Sequence, residues 1–155
     1  MKEKIIKIKE IYNFKIQPIA KQENEKAQLG MAQMINILSG YEQFDGYEIE
    51  TDKQKYYVLI ENGQSCCEDW GYISSNDNLN DYIGKNLVNV ELTNTALKNT
   101  KVDDLYCDSD QIQFVNFKFD DGDVLQLAVY NSHNGYYGHS IVIAKDSHVL
   151  LSSVL

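Results

Sequence analysis

Two adjacent thiols, Cys66 and Cys67, followed by Glu68, Asp69 and the chain's one tryptophan, Trp70, are the residues best suited to chemistry. Thiolate and imidazole are the ligands zinc prefers, in tetrahedral sets. The chain holds three cysteines, Cys66, Cys67 and Cys107, and three histidines, His133, His139 and His148. An odd cysteine count excludes a fully paired disulfide framework within one chain, and thiols in a reducing compartment bind metal or do redox chemistry more often than they form stabilising bridges. The spacing is not that of a zinc finger, because no Cys-x-x-Cys or His-x-x-x-His pair is present. Neighbouring side chains of an extended strand point to opposite faces. Both cysteines therefore reach one ion only where the backbone turns, which Asn62-Gly63 before them and Gly71 after them permit. The expected zinc set is Cys66, Cys67 and His139, with Cys107, His133 and His148 as further candidates.

A second cluster, Asn131-Ser132-His133-Asn134-Gly135-Tyr136-Tyr137-Gly138-His139, presents two imidazoles and two phenols on a backbone whose glycines allow a tight turn. A catalytic alternative takes a thiolate from Cys66 or Cys67, His139 as base and Glu68 or Asp69 as the orienting carboxylate. Carboxylates beside a thiol disfavour the thiolate, which counts against it. Asp120-Asp121-Gly122-Asp123 lacks the spaced oxygens and closing Glu of an EF-hand loop and reads as a hairpin turn.

The elements that must position these groups are mostly strands. Residues 4–16 read as a strand or a short amphipathic helix. Residues 21–38 predict the main helix, with Ala27, Leu29, Met31, Met34, Ile35 and Leu38 as its apolar stripe and Ser39-Gly40 as its stop. From residue 47 the pattern is β. Tyr47, Ile49 and Thr51 alternate with acids, and Tyr56–Ile60 follow a turn. Asn78–Gly84 predicts a single helical turn, and Leu87–Leu92 a further strand. Two strands flank Asp120–Asp123, with a bulge expected at Val115-Asn116, and Ile141–Ala144 and Val149–Leu151 close the chain. The expected fold is α+β: one domain over 1–155, with residues 1–45 as an N-terminal segment and helix and 46–155 mostly β. Its sheet is antiparallel, of five to six strands.

The net charge is −9 in 155 residues. Residues 1–26 carry seven Lys and four acids, a balance of +3; residues 27–155 carry seven Lys and nineteen acids, a balance of −12. No Arg is present, so no guanidinium reads phosphate or base edges. This excludes direct nucleic-acid binding as the natural role and favours a basic protein surface as partner. No apolar run approaches the ~18 residues of a membrane span. Met1-Lys2-Glu3-Lys4-Ile5 does not resemble a secretory signal. The expected compartment is cytoplasmic.

Three motifs in order resemble a family of small uncharacterised phage and prophage proteins. They are Cys66-Cys67-Glu68 after an Asn-Gly turn, Leu79-Asn80-Asp81-Tyr82-Ile83-Gly84, and Asn134-Gly135-Tyr136-Tyr137-Gly138. The resemblance covers about residues 60–143, and Trp70 departs from it. In size and charge the chain is also similar to anti-CRISPR proteins of the type directed at Cas9. That resemblance implies a non-enzymatic inhibitor that binds a bacterial defence nuclease through an acidic surface and blocks nucleic-acid loading. The acidic contacts would be Glu68, Asp69, Asp120, Asp121 and Asp123, with a structural zinc, inside the bacterial host cell. The alternative is a cysteine- or metal-dependent hydrolase.

Overall fold

The structure is a computed structural model that describes residues 2–15, 43–63, 69–97, 108–132, 138–146 and 148–155. Nine strands run through them: β1 (Glu3–Phe14), β2 (Phe44–Thr51), β3 (Lys55–Glu61), β4 (Asp69–Ser74), β5 (Asn86–Thr93), β6 (Ile112–Phe119), β7 (Val124–Ser132), β8 (Ser140–Lys145) and β9 (His148–Val154). All pairings are antiparallel, in the order β4-β7-β6-β5-β1-β2-β3-β8-β9.

β1 and β5 meet only at Glu3–Leu87 and Lys4–Asn86. At that short seam the sheet turns back on itself. Ile8, Ile49, Val58 and Ile143 from one half share a single core with Val115, Phe117, Leu125 and Leu127 from the other. Tyr56 of β3 meets Phe117 of β6 edge-on at 5.8 Å across that core. The architecture is a β-sandwich made from one bent sheet.

The outer faces are apolar too. Phe44, Tyr57, Leu59, Val142 and Ala144 are buried behind β2, β3 and β8, and Ile112, Phe114 and Ala128 behind β6 and β7. A strand buried on both faces reads as a continuous apolar run, which is why Tyr56–Ile60 shows no alternation. The same fact corrects the bulge expected at Val115-Asn116. β6 and β7 pair there without a register shift. Ile112 and Phe114 face the outer cluster, while Val115, Phe117 and Phe119 face the core.

The expected α+β class with five to six strands is corrected. The described residues form a nearly all-β protein, with nine strands and two short 3-10 turns, Leu79–Tyr82 and Ser109–Gln111. β1, ambiguous between strand and helix, is a strand in the middle of the sheet. β4 is a strand the local pattern does not mark, because it is a short run whose partner, β7, lies 53 to 63 residues away in sequence. The predicted helix over 21–38 lies outside the described residues. The expected turn at Asn78–Gly84 is present as the 3-10 turn, capped by the Asn78 side chain on the Asn80 N–H.

Candidate functional site

β4 carries two aromatic side chains on its inner face, Trp70 and Tyr72, because alternate residues of a strand share a face. Trp70 pairs with Asn131 and Tyr72 with Val129. Between them Gly71 leaves room for a phenol: a Cβ there would stand 2.8 Å from the Tyr130 hydroxyl.

Trp70 stacks on His139, with ring centroids 5.2 Å apart and an interplanar angle of 28°. His139 precedes β8 and is 1% exposed. Its main chain exchanges two hydrogen bonds with Leu155, each 2.9 Å. Its Nδ1 lies 2.5 Å from the carbonyl oxygen of Glu61 and 3.3 Å from the Glu61 carboxylate. A carbonyl oxygen only accepts, so Nδ1 carries a proton. Glu61 ends β3 and Trp70 lies near the start of β4. The two residues that flank the double-cysteine segment thus touch the same imidazole.

The expected site residues fall as follows. Cys66, Cys67, Glu68, Cys107 and His133 lie outside the described residues. His139 is at this mouth of the sandwich. His148 opens β9 opposite Lys145, whereas the Val154 end of β9 pairs with Ser140 beside His139. Six residues of strand, about 20 Å, separate the two imidazoles. Asp69 is exposed and occupies the strand position next to Trp70, hence the opposite face from His139. It is not placed to orient that ring. The carboxylate that approaches His139 is Glu61, which no sequence motif marked. Among the described residues no three His, Cys, Asp or Glu side chains converge on a common point.

Asp120, Asp121 and Asp123 lie in the β6–β7 turn, at the other end of β7 from Asp69, a separation of about 30 Å of strand. The two do not form one patch. Lys2 pairs with Asp120 at 3.1 Å, and Lys85 bridges Asp121 at 2.7 Å and Asp123 at 2.8 Å. The Lys2 and Lys85 hydrogen bonds hold the Asp120 and Asp121 carboxyls below the usual range.

A concavity lies elsewhere among the described residues. A cleft of about 480 Å³ opens between β1 and the segment that leaves β4. Tyr47 and Tyr72 contribute to its lining, with Glu10 and Lys9 from β1 and Asn76 to Asn80 on the far wall. The Tyr47 and Tyr72 rings meet edge-on at 5.1 Å. The Tyr12 hydroxyl donates to Glu10 at 2.9 Å, and Tyr12 and Tyr72 are hydrogen-bonded to each other. The far wall is braced internally: Asn78 N–H donates to Asn76 Oδ1 at 2.8 Å, and Asn78 Nδ2 to Asp81 at 2.9 Å. These residues come from separate strands and a loop, and the only sequence signal for them was the count of eleven tyrosines.

The fold and cleft define a small antiparallel β-sandwich with a preformed polar concavity. The chain belongs to the family described as a domain of unknown function (DUF7448), which matches residues 3–143, from β1 into β8. It is similar to the uncharacterized protein L278 of Acanthamoeba polyphaga mimivirus, 30% identical over 87 residues, which is 56% of this chain. The chain spans 66% of that viral protein's length. No solved structure matches the chain.

Proposed function

We propose that this chain acts by binding. It occupies a basic surface of a nucleic-acid-handling protein inside the bacterial host cell and keeps nucleic acid from loading there, with a Cas9-type defence nuclease as the partner to test first. The observation that carries this reading is the disposition of charge. On a chain of net charge −9, Lys2, Lys9, Lys55, Lys85 and Lys118 are each tied to an acid. Asp69, Asp81, Asp108 and Asp110 stand exposed. Such a surface attracts a basic partner and repels the phosphate backbone.

A structural zinc held by Cys66, Cys67 and His139 is part of the proposal. Its support is the His139 Nδ1 contact with the Glu61 carbonyl, since a metal-ligating histidine ordinarily donates its other ring N–H to a carbonyl or carboxylate. The zinc would supply a cross-link between the cysteine segment and the start of β8. The hydrolase alternative has less support, because its base would be an imidazole sealed beneath Trp70 with Asp69 on the other face.

The test is DNA loading by Cas9 with its guide RNA, read by fluorescence polarisation across a salt series. Inhibition that fades as salt rises is expected. Unchanged loading at every salt concentration would overturn the partner. Elemental analysis of protein purified without added metal should find one zinc per chain, and none would remove the metal from the proposal.

A further inference from the structure

We propose that the cleft beside β1 receives a cationic side chain, a lysine or arginine presented by an extended segment of a protein partner. This rests on the reading of a basic partner given above and names the contact it would make. Four groups from three strands build the receptor. Tyr47 is 4% exposed and lines the cleft. Tyr72 stands edge-on to it, and Tyr12 links Tyr72 to the Glu10 carboxylate.

Aromatic faces attract cations, more strongly once both are partly desolvated. Glu10 adds a full negative charge beside that floor, and Asp77 another at the rim. Lys9, also on the lining, pairs with Glu48 at 3.5 Å, which offsets its charge. The phenols sense the resulting field. Burial is the main cause that raises the Tyr47 and Tyr72 pKa values, and the Glu10 charge adds to it at both. A cation is the ligand that such a field favours, and the Tyr47 hydroxyl is an acceptor for its N–H.

The approach path is also present. β1 pairs with β5 only at Glu3 and Lys4, so beyond that point its edge has no strand beside it among the described residues. An extended segment can lie along this edge, as in strand addition, and direct alternate side chains toward Tyr47. The Asn76–Asn80 wall is fixed by its own hydrogen bonds, so little ordering is needed on binding.

The experiment is a ¹H–¹⁵N NMR titration of the full chain at matched ionic strength with three probes: N-acetyl-arginine amide, N-acetyl-lysine amide and N-acetyl-glutamate amide. The cationic probes should shift Glu10, Tyr47, Tyr72 and Asn78 saturably, and the anionic probe should not. Glu10→Gln, an exposed change whose fold the same spectrum verifies, should weaken the cationic probes about fivefold. Equal shifts from all three probes, shifts that map elsewhere, or an unaltered Glu10→Gln titration would each overturn the inference. Binding of the arginine probe here without any effect on Cas9 loading would leave this site standing and remove the nuclease. Cas9 inhibition equal in wild type and Glu10→Gln would do the reverse.

Discussion

Replacing His139 by Phe isolates what the buried imidazole contributes. Phe preserves an aromatic ring against Trp70, so the stacking at 5.2 Å survives. It removes the Nδ1–H that meets the Glu61 carbonyl at 2.5 Å. In chelator-treated protein, where no zinc contributes, a carbonyl left unsatisfied in a sealed position costs about 1–3 kcal/mol. For a chain of this length that is a fall in Tm of roughly 2–12 °C. His139→Ala forfeits the ring as well and should cost about 3–5 kcal/mol. Urea unfolding followed by tryptophan fluorescence reads both, since Trp70 is the only tryptophan and lies on the ring in question. The zinc adds a second arm: chelator should destabilise the wild type and leave His139→Phe unchanged. His139→Phe within about 0.5 kcal/mol of wild type would refute the assignment of the Nδ1 hydrogen bond as structural. A wild type indifferent to chelator would refute the metal alone.

Gly46 has φ of +152°, and a Cβ there would stand 2.0 Å from the Val58 carbonyl of the paired strand; Gly46→Ala should cost about 3 kcal/mol or prevent folding, and a urea midpoint near wild type would contradict this. Burial first, then nearby carboxylates, raises the phenol pKa of Tyr47 and Tyr56 above the ordinary 10.0 and that of Tyr57 to about 12. A raised folded-state pKa means the folded chain holds these protons longer than the unfolded chain, so stability is full below pH 10 and is lost as pH climbs toward 12. Each phenol contributes up to about 1.4 kcal/mol per pH unit, and phenolate absorbance and circular dichroism should change together; phenolates titrating near pH 10 with the fold intact would contradict it. Lys85→Met removes the bridge to Asp121 and Asp123, so the Asp121 carboxyl should titrate closer to its ordinary pKa by NMR, and an unmoved titration would show that Lys85 is not the cause.

Much of the strand content was legible. Tyr47-Ile49-Thr51 and the run Tyr56–Ile60 predict β2 and β3, and the Asp120–Asp123 turn with its flanking aromatics predicts β6 and β7. The Asn78–Gly84 turn was legible from its closing glycine, whereas the Asn78 side-chain cap came from the structure. What failed did so for stated reasons. β1 alternates Lys with Ile too loosely to distinguish period 2 from period 3.6. β4 is a six-residue strand whose identity depends on β7. The Val115-Asn116 slip came from burial on both faces, which periodicity alone cannot tell from a bulge.

The sequence by itself determined the local quantities: an acidic balance with no Arg, an odd set of cysteines, turn residues, and strand-forming runs that need only their nearest neighbours to be recognised. Tertiary structure alone decided which of these meet. His139 faces Glu61 and Trp70 because β3, β4 and β8 converge there, at separations of up to 78 residues. Asp69 and the Asp120–Asp123 turn are held apart because β7 runs between them. The Tyr47, Tyr72 and Glu10 cleft exists because a short β1–β5 seam lets one sheet fold across itself. Strand pairing is long-range, so a site assembled across a bent sheet leaves no spacing signature along the chain.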